Sequence, residues 1–366
     1  MKVLMTADAV GGVWTYAMQL CGTLSQLDVE VVLAVLGPQP STSQRIQAQA
    51  LSNVRLQSAQ YQLEWMHEPW ADVARAGEWL LQLAEREQVQ LVHLNGFVHA
   101  ALPWPAPVLV VAHSCVYTWW RAVHGSTPPS SWQTYHDLVQ AGLNHADVVV
   151  APTKSFLRSL QDEYAFAAPT RVIPNAIKAE HLRNTNGQRK EPVIFSSGRL
   201  WDEAKNVCVL DNAAPGLPWD ICVAGETTSP QGEQRRLMNV SCLGVQTTAE
   251  IVGHLKRASI FVHPAVYEPF GLSVLEAAHA RCALVLSNIS TLRELWEEAA
   301  VFVDARDANS IREALRALIE DERRREELGR LAFERAARFS TERMALSYRE
   351  IYLTLINRKS LERSVA

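Results

Sequence analysis

The sequence predicts an α/β protein of two doubly wound domains, and three observations predict it. At 366 residues the chain is longer than one core usually organises and fits two domains of ordinary size. Short β-branched apolar runs alternate with segments of helical spacing from Lys2 onward. After a polar stretch at 184–191 the alternation restarts at Pro192, which marks a second domain. A hydrophobic fraction of 48% supports well-filled cores, and 20% charged residues is ordinary for a soluble protein. The formal charge of −4 argues against nucleic acid as a partner, because such binders carry a basic footprint. No apolar run reaches the roughly 18 residues that a membrane-spanning helix needs. The six cysteines are scattered, without Cys-x-x-Cys or a zinc-like His cluster, so free thiols in a reducing cytosol are expected. The N-terminus, Met1 to Thr6, reads as a strand and not as a signal peptide.

Lys2 to Met5 opens the first half as a strand, and Gly11-Gly12 turns the chain into a helix from Val13 to about Leu24. These glycines do not form Gly-x-Gly-x-x-Gly, so the dinucleotide fingerprint is absent. Val29 to Leu36 is a second strand, 41–51 a helix, and Tyr61 to Trp70 an aromatic, loop-like segment. Ala71 to Glu87 has amphipathic spacing through Val73, Ala76, Leu80, Leu83 and Ala84. Val89 to Leu94 is a strand followed by Asn95-Gly96, a loop at the strand end where doubly wound sheets collect ligands; His93 reads as a packed core residue. Pro107 to Ala112 is a strand ending at His113-Ser114. Residues 115–132 are rich in aromatic side chains, and eight of the eleven tryptophans precede residue 133. A helix ending near Ala146, a strand 147–151 and a helix to about Glu163 complete the half.

In the second half, Val193 to Ser197 is a strand that ends in Gly198-Arg199-Leu200, with Lys205 six residues after the arginine. Trp219 to Ala224 is a strand ending at Gly225-Glu226, and Val240 to Leu243 leads to Gly244-Val245 and a helix over 249–257. Ile260 to Val262 is a buried strand, Pro264 and Pro269 stiffen the loop behind it, and Gly271 releases a helix through Leu272 and Leu275. Strands 282–286 and 300–303 follow, then helices from Asn309. The charge run 320–330 mixes both signs and reads as a solvated face. A last helix begins at Phe339-Ser340 and carries Tyr348 and Tyr352, which fit a packing role. Around Gly271 the chemistry converges. A helix start offers unpaired N–H groups and partial positive charge, which suit phosphate. Glu268 lies before that start and Glu276 about one turn inside it, and ionised carboxylates accept hydrogen bonds from sugar hydroxyls. A diphosphate seat flanked by two acids is what a nucleotide sugar requires.

Glu268 and Glu276, in Glu-Pro-Phe-Gly-Leu-Ser-Val-Leu-Glu, resemble the Glu-x7-Glu motif of retaining glycosyltransferases of family 4. The resemblance implies the GT-B fold, two Rossmann-like domains facing a central cleft with the C-terminal helix crossing back to the first. Val172-Ile-Pro-Asn-Ala176 is similar to the family's passage between domains, with Ala176 where glycine is usual, so that turn needs no positive φ. The expected domains are 1–167 with the helix 341–366, on the acceptor side, and 168–340, which binds the donor.

By the same resemblance Arg199 and Lys205 hold the donor diphosphate, Arg by a fork of donors and Lys as a mobile point charge. Glu276 takes the ribose and Glu268 the 3-hydroxyl of the donor sugar, while the N–H groups of Phe270, Gly271 and Leu272 lie near the diphosphate. Gly225 and Val245 flank the nucleotide, Gly11 and Gly12 face the cleft, and His113 contacts the donor sugar's 6-hydroxyl. Ser114 stands where the family more often has Asp. Trp14, Trp119 and Trp120 are the candidate acceptor rings, since aromatic faces stack on sugars. No Asp-x-Asp is present to bring a metal, so neither metal nor cofactor is expected. The implied activity is transfer of a hexose from a UDP- or GDP-linked donor to a saccharide or glycoconjugate hydroxyl, in the cytoplasm, with peripheral contact to the inner face of a membrane compatible. The alternatives are a glucan synthase or phosphorylase of the same fold and a non-catalytic nucleotide-sugar binder.

Overall fold

The computed structural model describes residues 1–182, 189–229 and 232–365; the expected polar loop at 184–191 falls largely outside them. Chain contacts divide the protein into two compact units. Unit 1 comprises Met1–Arg121, Ser126–Ala176 and Ser340–Ala366, and unit 2 comprises Ala122–Gly125 and Ile177–Phe339. The boundary therefore falls at Ala176, nine residues beyond the expected 167. The reason is a short strand, Thr170–Val172, that pairs with the preceding strand, and buried Ile173 and Ala176 pack into the unit 1 core.

Unit 1 runs β1 (Lys2–Asp8), α1 (Gly12–Leu24), β2 (Glu30–Leu36), α2 (Thr42–Gln49), β3 (Val54–Ser58), α3 (Trp70–Glu87), β4 (Leu91–Leu94), β5 (Val108–Val111), α4 (Val116–His124), α5 (Gln133–His145), β6 (Val148–Ala151), α6 (Lys154–Glu163) and β7 (Thr170–Val172). Its strands form one parallel sheet in the order β3-β2-β1-β4-β5-β6-β7. The switch point lies between β1 and β4, the place where such sheets open a crevice for ligands. Unanticipated from sequence were β3, whose Val-Arg-Leu-Gln-Ser is mixed enough to sit only at a sheet edge, and α4. In α4 the aromatic cluster of residues 116–124 is itself helical, with Tyr117 and Thr118 turned inward.

Unit 2 runs β8 (Glu191–Ser197), α7 (Val207–Ala213), β9 (Asp220–Ala224), β10 (Ser241–Cys242), α8 (Thr248–Arg257), β11 (Ala258–His263), α9 (Leu272–His279), β12 (Ala283–Ser287), α10 (Ser290–Trp296), β13 (Ala300–Val303), α11 (Ala308–Glu320) and α12 (Glu322–Ala336). The sheet is again parallel, in the order β10-β9-β8-β11-β12-β13. Residues of β11 and β12 are buried throughout, as expected for strands covered by helices on both faces. Thr247 caps α8 in a capping box with Glu250, which fixes where β10 hands over to the helix. Helices α7 and α10, seven residues each, are too short for periodicity to reveal.

The last helix, α13 (Thr341–Val365), returns to unit 1. Met344, Ala345, Tyr348, Tyr352 and Leu355 are buried in the same core cluster as Trp14, Tyr16 and Leu20 of α1. Rings of Tyr16 and Tyr348 meet edge-on at 6.1 Å. Two Rossmann-like sheets with this returning helix constitute the GT-B fold class that the sequence predicts. Among the described residues no helix is long and apolar enough to cross a membrane.

Candidate active site

In unit 2 the predicted residues gather at the C-terminal ends of β8 and β11, adjacent strands of the sheet. The chain leaves β11 at His263, crosses a Pro-bounded loop, and enters α9 at Gly271. Gly271 has φ 88°, a left-handed conformation that a side chain would strain, and caps α9 with no side-chain hydrogen bond. The first-turn N–H groups of α9 are thus not consumed by a cap side chain, the condition for holding an anion. Phe270 is buried with its ring edge-on to Phe339, so its side chain belongs to the core. Any ligand role of Phe270 lies in its backbone.

Glu268 is the centre of this loop. Its Oε2 accepts from Lys205 Nζ at 2.6 Å and lies 3.0 Å from His263 Nε2. Only 11% of its side chain is exposed. Burial alone would raise its pKa, but Lys205 and His263 outweigh that and hold the carboxyl well below the usual range. Thr291 donates to the Glu268 carbonyl at 2.6 Å, and the Val266 N–H reaches the Ala204 carbonyl at 2.9 Å. The loop that carries Glu268 and the turn that carries Lys205 are therefore tied together through the backbone. Sequence reasoning assigns Lys205 to phosphate and Glu268 to a sugar hydroxyl; the structure pairs them directly.

Arg199 donates to Asp202 at 2.7 Å, and its guanidinium lies 5.4 Å from the Trp201 ring centroid. Its side chain remains 42% exposed. Asp202 also accepts the Ala204 N–H, so one carboxylate shapes the turn and orients the arginine. Gly225 closes the same edge, because a Cβ there would lie 1.7 Å from the Gly198 carbonyl oxygen. Its N–H donates to the Gly244 carbonyl at 2.9 Å, which places exposed Val245 (70%) beside it. Glu276, half-buried on α9, has its carboxyl pushed up to about 7 by burial. A carboxylate in that state gains from ligand hydroxyls that donate to it.

In unit 1, His113 follows β5 and its Nε2 lies 2.8 Å from Asn95 Oδ1. The Asn95 amide nitrogen donates to the Thr6 carbonyl at 2.6 Å, so Oδ1 is the acceptor. His113 therefore carries its proton on Nε2 and leaves Nδ1 as an acceptor. Burial lowers its pKa to about 3, so the ring is neutral at physiological pH. His93, fully buried, lies 2.6 Å through Nδ1 from the Tyr352 hydroxyl and 3.3 Å through Nε2 from the same Asn95 oxygen. It is the core histidine expected from sequence.

His113 lines a cavity of about 100 Å³ at the β1–β4 switch point. Asp8, Glu64, Trp65, Asn95, His113 and Tyr135 are among its lining. Gly11 caps α1 and Gly12 is its first residue, while the next residue, Val13, also lines this pocket. Trp14 needs correction as an acceptor ring. It is 4% exposed and its indole donates to Gln47 at 2.8 Å, so its faces are spent in the core. Trp119 and Trp120 lie edge-on at 6.1 Å on α4, half-buried, outside the pocket lining. Of the rings that line the pocket, Phe97 and Tyr135 are themselves buried and Trp65 is half-buried. Glu64, which sequence reasoning missed, sits in the segment 61–70 that was read only as loop-like and aromatic.

Residues 10–181 match the family model described as Glycosyltransferase Family 4, and residues 178–335 match Glycosyl transferases group 1. The chain belongs to the group 1 glycosyltransferase family. The two matched stretches meet where unit 1 passes into unit 2. Within the family, the chain is 31% identical over 142 residues to glycogen synthase of Mycobacterium tuberculosis, a match covering 36% of this chain and 34% of that one. This chain thus matches about a third of that curated relative's length. Among solved structures it resembles sucrose-phosphate synthase from Thermosynechococcus elongatus, with TM-score 0.78, 18% identity and coverage of 98% of this chain and 100% of the other. It also resembles Anabaena HepE in complex with UDP-glucose, with TM-score 0.75, 14% identity and coverage of 97% and 100%.

Proposed function

We propose that the protein is a retaining, metal-independent hexosyltransferase that moves a sugar from a UDP- or GDP-linked donor to a hydroxyl of a saccharide or glycoconjugate. The observation that carries this reading is the Lys205–Glu268–His263 cluster beside the open N-terminus of α9. A dinegative leaving group needs cations and N–H groups preorganised where charge develops. Lys205, Arg199 and the N–H groups of Gly271 and Leu272 supply them in one short region. Glu268 accepts a donor-sugar hydroxyl, the 3-hydroxyl in the family pattern, and Glu276 accepts from the ribose. Val245 and Gly225 lie at the nucleotide end. His113, neutral and with Nδ1 as acceptor, is suited to accept from a sugar hydroxyl.

The step balances without a protein nucleophile. The bond between the anomeric carbon and the diphosphate oxygen breaks as the acceptor oxygen bonds to that carbon on the same face. The acceptor proton passes to the departing diphosphate, which leaves as the nucleoside diphosphate. The UDP-glucose complex of the Anabaena neighbour supports a nucleotide-sugar donor. Nucleoside diphosphate release from a panel of UDP- and GDP-sugars, with and without EDTA, tests the reading, and proton NMR of the product reads the anomer. Release that survives EDTA with the donor's anomeric configuration kept is expected. Absence of release with every donor, an inverted product, or loss of turnover on chelation overturns the corresponding part.

A further inference from the structure

The unit 1 pocket has an unusual charge arrangement for a protein that handles a phosphorylated donor. Backbone N–H groups where a helical turn begins are the usual place for an anion to settle. Phe97 lines this pocket just before the short turn Val98–Ala101, and the N–H groups of Phe97 and Val98 are already occupied. Glu64 fills them with its own carboxylate, accepting from the Phe97 N–H at 3.1 and 3.2 Å and from the Val98 N–H at 3.2 Å. The protein's own carboxyl therefore takes up N–H groups that a ligand phosphate would otherwise use.

The rest of the lining agrees with that choice. Asp8 is a second carboxylate on the wall, and the described lining residues include no Lys or Arg. His99 and His113 are both shifted toward the neutral form by burial, so neither supplies positive charge. His99 is further engaged through Nε2 with the Val73 carbonyl at 2.9 Å. A phosphate entering here would meet like charges in a half-buried site with no cation to offset its desolvation. A polyol meets the opposite situation. Carboxylate oxygens and unprotonated imidazole nitrogen are acceptors for its hydroxyl donors, and the half-buried Trp65 ring offers apolar surface for its C–H faces.

We infer that the unit 1 pocket takes an uncharged, hydroxyl-rich saccharide as acceptor and excludes sugar phosphates, with Glu64 as the residue that sets this preference. The inference rests on the glycosyltransferase reading above and narrows it to one acceptor class. Glu64 acts in two ways: it consumes the Phe97 and Val98 N–H groups that would hold a phosphate, and above about pH 7, where it ionises, it presents negative charge to the bound ligand.

The test uses the full chain at pH 8, above the Glu64 pKa of about 7, and matched probes: methyl α-glucoside, methyl α-mannoside and maltose against glucose 6-phosphate, mannose 6-phosphate and fructose 6-phosphate. Saturation-transfer NMR on the purified protein reads binding independently of turnover. The neutral sugars are expected to give transfer signals that the phosphates do not, and acceptor kcat/KM is expected to favour the neutral class by at least tenfold. The isosteric Glu64→Gln keeps a carbonyl oxygen for the Phe97 and Val98 N–H groups, and its melting point checks that it folds. It is expected to raise acceptor KM and narrow the neutral-to-phosphate ratio at least threefold. Equal or stronger binding of the phosphates, no binding of the neutral panel, or an unchanged ratio in Glu64→Gln overturns the inference. Absence of turnover with normal neutral-sugar binding overturns the enzymatic reading alone.

Discussion

Lys205 and Glu268 are 63 residues apart in the chain, yet their side chains meet at 2.6 Å. Both chemical types were legible in the sequence, because each stands in a short local pattern of strand end, loop and helix start. Their pairing was not, since it depends on β8 and β11 lying side by side. Lys205→Ala removes the cation that Glu268 is built against and leaves the carboxylate against His263 alone of the two groups that hold it. Turnover is expected to fall by about 10²–10³, as for loss of one preorganised donor at a developing charge. Steady-state kinetics with saturating donor checks it, and a loss of only a few-fold refutes the assignment.

Two other carboxyls titrate in the opposite sense. Glu64 and Glu276 are each raised by burial from 4.5 to about 7. A group with a raised folded pKa binds protons more tightly in the folded state, so its stabilisation is complete below about 4.5 and is lost as pH rises through about 7. Glu268, held low by Lys205 and His263, stabilises the fold above the ordinary carboxylate range and loses that contribution only in acid. The melting temperature of the ligand-free protein is therefore expected to decline between pH 5 and 7.5, and Glu276→Gln to flatten that slope. Differential scanning fluorimetry across pH reads both.

At the scale of elements, positions of strands and long helices followed from hydrophobic spacing, and the elements missed were short or marginal. β3 mixes Arg and Gln into an edge strand, and α7 and α10 span seven residues each. The aromatic stretch 116–132 shows a harder limit. Ring content signalled contact surface, but which rings face a pocket depends on packing among elements distant in sequence. Trp14 is consumed by the core, whereas Trp65 lines the cavity. Backbone crowding at the edge of the second sheet was likewise invisible before the structure. There β8 and β9 end so close together that Gly225 has no room for a methyl group. Gly225→Ala forces the Gly198–Lys205 segment away from β9. A destabilisation of about 1–3 kcal/mol is expected from such overpacking, with donor-dependent stabilisation reduced as well. Urea unfolding with and without UDP measures the two effects, and a variant indistinguishable from the parent contradicts the steric reading.

At the scale of the whole molecule, two sheets repeat one architecture on a chain whose halves share no sequence repeat. The boundary shifted from its expected position because β7 is too short to stand out from the connecting segment and is recognisable only once paired with β6. Unit 1 is also discontinuous. Its core contains residues from the first strand and from α13, and the Tyr352 hydroxyl reaches His93 across 259 positions of sequence. Deleting residues after Phe339 strips Met344, Tyr348 and Tyr352 from that core, so unit 1 is expected to lose cooperative melting while unit 2 retains its own. Hydrogen exchange resolved by peptide distinguishes them, and full protection across residues 1–36 in the truncated chain refutes this dependence.

That discontinuity has a consequence for biosynthesis. A ribosome makes the β1 to β7 sheet early but releases the helix that seals it only after the entire second unit has been translated. Until then the apolar groove on α1 stands open to solvent. The nascent first half thus waits, incompletely closed, through the making of some 160 further residues, and at elongation rates of about 5–20 residues per second that interval lasts on the order of ten seconds or more. Over that window a holdase chaperone has an apolar target on the emerging polypeptide, and it loses that target when the last helix docks.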